Sequence, residues 1–436
     1  VLAAGDSLVW HKEQERVDAD IKSWELGRLL ENVAGATGWQ IYLEPNTTHE
    51  VSVKFKNLPT GEALRALLGD LSYVVVPRTN GNARLYVFRT TQNQATQLIH
   101  APPKKPAKPI PNELIVTLKP GSKVNIEELA RSLGGKVIGR IDGQNAYRLQ
   151  FDNEAATQAA REQLAANPDV ASVDYNYPVD RPPSVNLSSG NSNPDLQLKP
   201  KDNSGNCQLV VGLVDTAVQP LGTNLDAFLL PKIQVAGNYQ PDPGQLTHGT
   251  AMAETILDAL QAKTGGSTSV KIRPVDVYGT NESTSTFDVA QGIVQAVNNG
   301  ANIINLSLGS SGDSQFLRNT ISQVTQQGIP VFAAAGNEPV TTPTYPAAYP
   351  GVVAVTASDS TGKIASYANR GSFIDMIAPG DNVVGYNGQN YLVEGTSTST
   401  AFASGMAAGL ADTAHACADQ AQTLLQNSVK PVAKPQ

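Results

Sequence analysis

The chain has 436 residues, too many for one ordinary hydrophobic core, so two or three domains are expected. A net charge of −7 argues against a nucleic-acid binder, since no dominant basic face is visible, and no apolar run approaches the ~20 residues that span a bilayer. Two cysteines, Cys207 and Cys417, suit one optional disulfide rather than a zinc site or a disulfide scaffold.

The opening "VLAAGDS" reads either as the small-residue end of a removed signal peptide or as a cut edge of the chain. Residues 1–20 are polar and are expected to fray. Leu26, Leu29, Leu30, Val33 and Ala34 then share one helix face, which Gly38 ends. Trp39, Ile41 and Leu43 alternate as a strand, and Val51, Val53 and Phe55 alternate again. Leu64, Leu67 and Leu68 mark a second helix, and strands over 73–78 and 83–89 flank the hairpin signal Asn80-Gly81. The stretches "LLENVAGATGWQIYLEP" and "VSVKFKNLPTGEALRALLGDLSYVVV" resemble the short N-terminal domain of secretins and energised outer-membrane receptors. The resemblance covers about residues 17–95. It implies a small α+β module, 1–97, that does no chemistry and docks on an envelope or secretion-complex protein.

Residues 98–112 include "APPKKPAKPIPN", whose prolines impose an extended spacer; a docking motif for a proline-binding partner is the other reading. Over 113–178, "ELIVTL", a helix through Ile126, Leu129, Ala130 and Leu133, "KVIGRI", "AYRLQF", a helix over 154–166 and "NPDVASVDYN" follow in the order β-α-β-β-α-β, a ferredoxin-like plait. Residues 179–206 are rich in Pro, Ser, Asn and Gly with no periodic apolar face, so a flexible connection is expected. From 207 to 428, "QLVVGLVD", "KIRPVDVYG", "ANIINLSLG", "IPVFAAAGN" and "GVVAVTAS" alternate with helical faces such as Ala290, Ile293, Val294 and Val297. Residues 429–436 read as a tail. The expected fold is α/β: a mostly parallel sheet with helices on both faces, preceded by two small α+β domains, the second ferredoxin-like. Ligands in such sheets sit at the carboxyl ends of the strands.

Three residues stand at such junctions: Asp215 after "VVGLV", His248 opening "HGTAMAETIL", and Ser397 in "EGTSTSTAFASG". Singly, each has a plain reading: a helix-capping Asp, a structural His, and a hydroxyl-rich loop in which Thr396 to Thr400 are all Ser or Thr. Together they suit an activated nucleophile, because a hydroxyl needs a base and the base needs an orienting carboxylate. "DT" after an apolar strand, "HGT" and "GTS", in that order, closely resemble the signatures of the subtilases, and the likeness continues through "GIVQAVNNGANIINLSLG", "IPVFAAAGNE" and "YPAAYPGVVAVTAS". The resemblance implies a subtilisin-like sheet. Its roles are Ser397 as nucleophile, His248 as base, Asp215 as orienter, and Asn337 with the Ser397 N–H as oxyanion donors. Ser307, Leu308 and Gly309 should form one wall of the specificity pocket and Ala334, Ala335 and Gly336 the other, with Thr344 shortening its base in favour of small or medium apolar side chains.

The chain also departs from that family. Ala217 replaces a usual Gly, Ala401-Phe402 a usual Pro-His, and Asp276 a frequent Lys; the Asn-rich calcium loop after the histidine is missing. The module at 113–178 resembles the subtilase propeptide, which implies an intramolecular inhibitor whose tail fills the active site and is cut between Tyr175 and Pro183. Cys207 and Cys417 pair if the two ends meet; two buried small apolar residues are the alternative. The resulting expectation is a secreted or periplasmic serine endopeptidase in precursor form, in a Gram-negative-type envelope. It acts on protein or peptide substrates without a metal or other cofactor, calcium having no support in the sequence. The alternative is a latent or pseudoprotease that binds peptides, with the N-terminal module as its docking domain.

Overall fold

The computed structural model describes residues 7–11, 15–77, 83–99, 107–183, 186–187, 196–203, 207–222 and 224–428. The chain divides into two compact units. The first comprises Val1–Lys104 with two loops from late in the sequence, Asn337–Thr342 and Ala365–Gly371.

Within it, Ser7–His11, Arg16–Glu25 and Glu50–Pro59 form an antiparallel sheet, and Gln40–Leu43 pairs with Arg84–Phe88 and Gln97–Ile99 in another. Helices Leu26–Thr37 and Thr60–Leu68 bury Leu29, Leu30, Leu64 and Leu67 against Ile41 and Leu85. Two sequence expectations change here. Arg16–Glu25 is an ordered strand, not a frayed end, because Val17, Ala19 and Ile21 alternate into the core. The strand Gln97–Ile99 carries the first sheet region past residue 97. Asn80-Gly81 and residues 101–106 of the proline-rich stretch lie outside the described residues.

The second unit comprises Lys105–Gly336, Pro343–Ile364 and Ser372–Gln436. Its first part is a four-stranded antiparallel sheet in the order Val170–Tyr175, Glu113–Leu118, Ala146–Phe151, Gly135–Ile141. Leu114, Val116 and Leu149 pack on helices Ile126–Ser132 and Glu154–Ala165, which start at Asn125 and Asn153, whose side chains accept the first free amides. The alternate residues Ile115, Ile141 and Ala146 face the other way, into the core that holds Phe287 and Ile293.

The larger part centres on a parallel sheet. Among the described residues its strands run Ile233–Gln234, Lys271–Asp276, Val210–Asp215, Ile303–Leu306, Val331–Ala334, Val352–Ser358, Met376–Pro379. The interior strand Val210–Asp215 is buried at every position, as its unbroken apolar run requires. Helices His248–Thr264 and Thr396–Thr413 share a core with Val211 and Leu213 on one face; Thr286–Asn298 and Gln315–Gln326 share one with Val210 and Val214 on the other. The first two helices cross closely: a Cβ on Gly405 would lie 2.6 Å from the Ile256 carbonyl oxygen.

The connection 179–206 is more ordered at its ends than its composition suggests. Pro178–Asp180 is a strand with Val179 buried. At the other end Leu198 is in the core, Lys199–Pro200 pairs with Ser267–Thr268, and Lys201 Nζ lies 3.0 Å from Asp412 Oδ2. Tertiary contacts, not local periodicity, hold both ends. Cys207 and Cys417 form a disulfide, with Cα atoms 5.3 Å apart. The sequence left their pairing open because they are 210 residues apart along the chain.

Candidate active site

The site begins where the strand Val210–Asp215 ends. Asp215 is fully buried, and its carboxylate faces the first residue of the helix His248–Thr264. His248 Nδ1 lies 2.8 Å from Oδ1 and 3.0 Å from Oδ2 of Asp215, and the Thr216 N–H donates to Oδ1 at 2.6 Å. A carboxylate so placed makes Nδ1 the donor and leaves Nε2 as the acceptor. His248 is 8% exposed, so little more than one edge of the ring reaches solvent.

The short motifs around these residues have a physical reason. Thr216 Oγ1 accepts the Gly249 N–H at 2.8 Å, which ties the strand end to the helix start. Thr247 donates to the Ala217 carbonyl at 2.7 Å and caps the helix by accepting from the Thr250 N–H. A Cβ on Gly249 would lie 2.2 Å from the Thr216 carbonyl oxygen, so only glycine lets the helix approach.

Ser397 is the second residue of the helix Thr396–Thr413, entered through Gly395 at φ +148°, a backbone state that favours glycine. Of the five hydroxyl residues from Thr396 to Thr400, only Ser397 escapes full burial. Ser399 is fully buried and donates to the carbonyls of Ala378 and Pro379 at 3.1 and 3.0 Å. Ser397 Oγ donates to the Ser307 carbonyl at 3.0 Å, and Ser307 Oγ donates back to the Ser397 carbonyl at 3.0 Å. In this state the serine hydroxyl is turned to a backbone acceptor and not to the imidazole.

Behind this pair lies a chain of polar groups that sequence reading missed. Ser404 Oγ donates to Asn305 Oδ1 at 3.1 Å, and Asn305 Nδ2 donates to Ser307 Oγ at 2.9 Å. Its one sequence signal was a polar Asn inside the apolar run "IINLSLG", on a strand buried throughout.

The expected pocket walls come together in part. Leu308, Ala334 and Ala335 are buried, and Gly336 N–H donates to Thr396 Oγ1 at 3.0 Å, which joins one wall to the start of the Ser397 helix. Gly309 sits where a Cβ would be 3.3 Å from the Tyr345 carbonyl, and Ser310 and Tyr345 exchange backbone hydrogen bonds at 2.8 Å. Thr344 Oγ1 donates to the Ala335 carbonyl at 2.6 Å, so its side chain is drawn onto the second wall. Asn337 follows Gly336 and opens the Asn337–Thr342 loop of the first unit.

Along the edge Ser283–Ser285 an extended segment is already paired. Pro178, Val179 and Asp180 lie antiparallel to Ser285, Thr284 and Ser283. Ser310 Oγ donates to the Pro178 carbonyl at 2.8 Å, and Arg181, Pro182 and Pro183 line one cavity with His248 and Thr216. Next to Asp215 in register stands Asp276. Burial pushes its carboxyl above the usual range, against the Gly279 and Tyr278 amides, which donate to Oδ1 at 3.0 and 2.9 Å.

An imidazole gripped by a buried carboxylate at the end of one parallel strand, and a part-buried serine held by a carbonyl just past another, stand on an α/β frame. The chain belongs to the Subtilase family, which residues 207–435 match; residues 95–176 match the Fervidolysin N-terminal prodomain. It is 36% identical over 207 residues to M-protease of Shouchella clausii (strain KSM-K16), a match that covers 45% of this chain and 54% of that protein. The chain thus spans about half the length of this relative. Fervidolysin from Fervidobacterium pennivorans, a keratinolytic enzyme related to subtilisin, superposes with a TM-score of 0.54 at 17% identity, covering 70% of this chain and 55% of that one. The Epidermin Leader Peptide Processing Serine Protease of Staphylococcus aureus superposes with a TM-score of 0.56 at 16% identity, covering 74% and 95%. At these identities the two structures share the fold.

Proposed function

We propose that the chain is the precursor of a secreted or periplasmic serine endopeptidase. The observation that carries this reading is the two-oxygen grip of Asp215 on His248 Nδ1, which leaves Nε2 free to act as a base. Ser397 Oγ then turns from the Ser307 carbonyl toward Nε2. Its proton passes to the ring as Oγ bonds to the carbonyl carbon of the substrate. The oxyanion that forms is received by the Ser397 N–H and the Asn337 side-chain amide. The imidazolium returns the proton to the departing amine, and water releases the acyl group by the same steps. No cofactor is assigned to this scheme.

An extended substrate would add to the Ser283–Ser285 edge, as Pro178–Asp180 now does. That occupied edge supports a latent precursor in which residues 113–178 and their tail inhibit the site, and self-cleavage near the tail begins maturation. The Thr344 hydroxyl on the Ala335 wall supports a shortened pocket for small or medium apolar side chains. The N-terminal module, with a hydrophobic core of its own, is assigned to docking on an envelope protein, in keeping with a Gram-negative-type location.

The test is a fluorophosphonate probe on protein whose tail has been removed by processing, followed by mapping of the labelled residue. Label at Ser397 supports the reading. Processed, folded protein that takes no label there would refute it and favour a peptide-binding pseudoprotease.

A further inference from the structure

Arg181 is the one cationic residue in Tyr177–Pro183. Its backbone N–H donates to the Glu282 carbonyl at 2.9 Å and so extends the ladder of Pro178–Asp180. Its side chain turns onto the loop after Asp276. Nε donates to the Asn281 carbonyl at 2.8 Å, Nη2 donates to the Gly279 carbonyl at 2.5 Å, and the guanidinium carbon lies 5.4 Å from the centre of the Tyr278 ring. Two nitrogens of one planar fork thus meet two carbonyls of one loop, which a single ammonium point charge matches less well.

The loop is shaped for this contact. Asp276 Oδ1 holds the Tyr278 and Gly279 amides, and Gly279 stands at φ +55°, so the amides point inward and the loop carbonyls remain for a donor outside. Among the described residues Asp276 Oδ2 is buried without a hydrogen-bond partner, and the charge of Arg181 acts on that carboxylate. Asp242 and Glu282 line the cavity that Arg181 shares with His248. Negative potential therefore faces the guanidinium from several sides.

A tail that pairs along a substrate edge stands in a substrate's place, so whatever holds Arg181 will hold a substrate side chain in the same register. We propose that the loop Asp276–Glu282 is a subsite for a basic side chain, arginine ahead of lysine, in the register that Arg181 holds along the Ser283–Ser285 edge and separate from the pocket of Leu308, Ala334 and Thr344. This selectivity rests on the peptidase reading above.

Two measurements test it. The first is kcat/KM for quenched peptides that differ only at the residue in the Arg181 register, with the matured enzyme. Arginine is expected to exceed leucine by roughly tenfold, with lysine between them and glutamate lowest. Leucine equal to arginine would overturn the proposal. The second reads the tail without catalysis, as hydrogen exchange of the Val179–Arg181 and Ser283–Ser285 amides in the full chain. Arg181→Ala should speed exchange at both, and Arg181→Lys should restore part of the protection. Unchanged exchange in Arg181→Ala would overturn the subsite even if no peptide were cut. Failure of Ser397 to take the probe, with tail exchange still dependent on Arg181, would refute the peptidase and leave the subsite standing.

Discussion

Gly249→Ala tests whether the approach of helix to strand builds the site. The added Cβ would lie 2.2 Å from the Thr216 carbonyl oxygen, 3.0 Å from its carbon and 3.2 Å from the Ala217 carbonyl oxygen. All three are backbone atoms, so no side chain can swing away. Ordinary contact lies at 3.4–4 Å, and the helix must retreat by about 1 Å. That stretches the 2.8 Å Gly249–Thr216 bond and carries His248 off the Asp215 carboxylate. A misplacement of that size costs on the order of 10² in rate, and overpacking costs about 1–3 kcal/mol of stability. The assay is the second-order rate of fluorophosphonate labelling at Ser397 in matured enzyme, beside urea unfolding. A Gly249→Ala enzyme that labels within about threefold of the parent would refute the argument.

Ser397→Ala should abolish peptide hydrolysis and self-cleavage, while Ser399→Ala, which removes a buried hydroxyl bonded to Ala378 and Pro379, should retain most of the activity and lose about 1–2 kcal/mol in urea unfolding. Thr344→Gly frees the Ala335 wall and should shift preference toward Phe and Tyr before the cut by roughly tenfold, read by a peptide library. Burial pushes the Glu254 carboxyl up to about 8 from 4.5, so the folded chain holds a proton there that the unfolded chain releases. Stability should therefore be full below about pH 4.5 and fall as pH rises toward about 8. Glu254→Gln keeps an acceptor for the Gly385 N–H and should flatten that fall, with urea midpoints nearly equal at pH ~4.5 and higher in the variant at pH ~9.

Much of the frame was legible because its elements carry strong periods. The Leu26–Thr37 helix showed an uninterrupted apolar face and a left-handed Gly38 at its end, and the Val210–Asp215 strand showed an apolar run that only double burial explains. Arg16–Glu25 was missed although Val17, Ala19 and Ile21 alternate, because charges stand between them and Ser23, at φ +53°, interrupts the register before Trp24. The staple at Leu198–Lys201 left no local signal, since its partners Ser267–Thr268 and Asp412 are remote in sequence. In the site, a helix turns about 200° between Ser397 and Ser399, so one hydroxyl faces outward while the other is buried. Family resemblance singled out the first, and the helix phase supplies the reason. The Ser404–Asn305–Ser307 relay was illegible because its hydroxyls and amide come from separate elements.

The anchoring at both ends of 179–206 bears on how a precursor could become active. The tail is held by the ladder with Ser283–Ser285 and by Arg181, and the start of the catalytic part is held by Lys199–Pro200, Lys201 and the disulfide. Both cysteines of that disulfide, Cys207 and Cys417, lie on the catalytic side of a cut at the Pro183 end of the expected Tyr175–Pro183 window. Such a cut leaves no covalent link to the N-terminal part, yet every contact of the tail survives it. Scission and activation are then separate events: the first removes the tether, and the second requires the tail to dissociate. Before the cut, a detached tail returns at the high effective concentration set by a short connection; after it, return depends on the free concentration of the released piece. Destruction of that piece, not the cut itself, would then set the onset of activity, and weakening the Arg181 contacts would advance it.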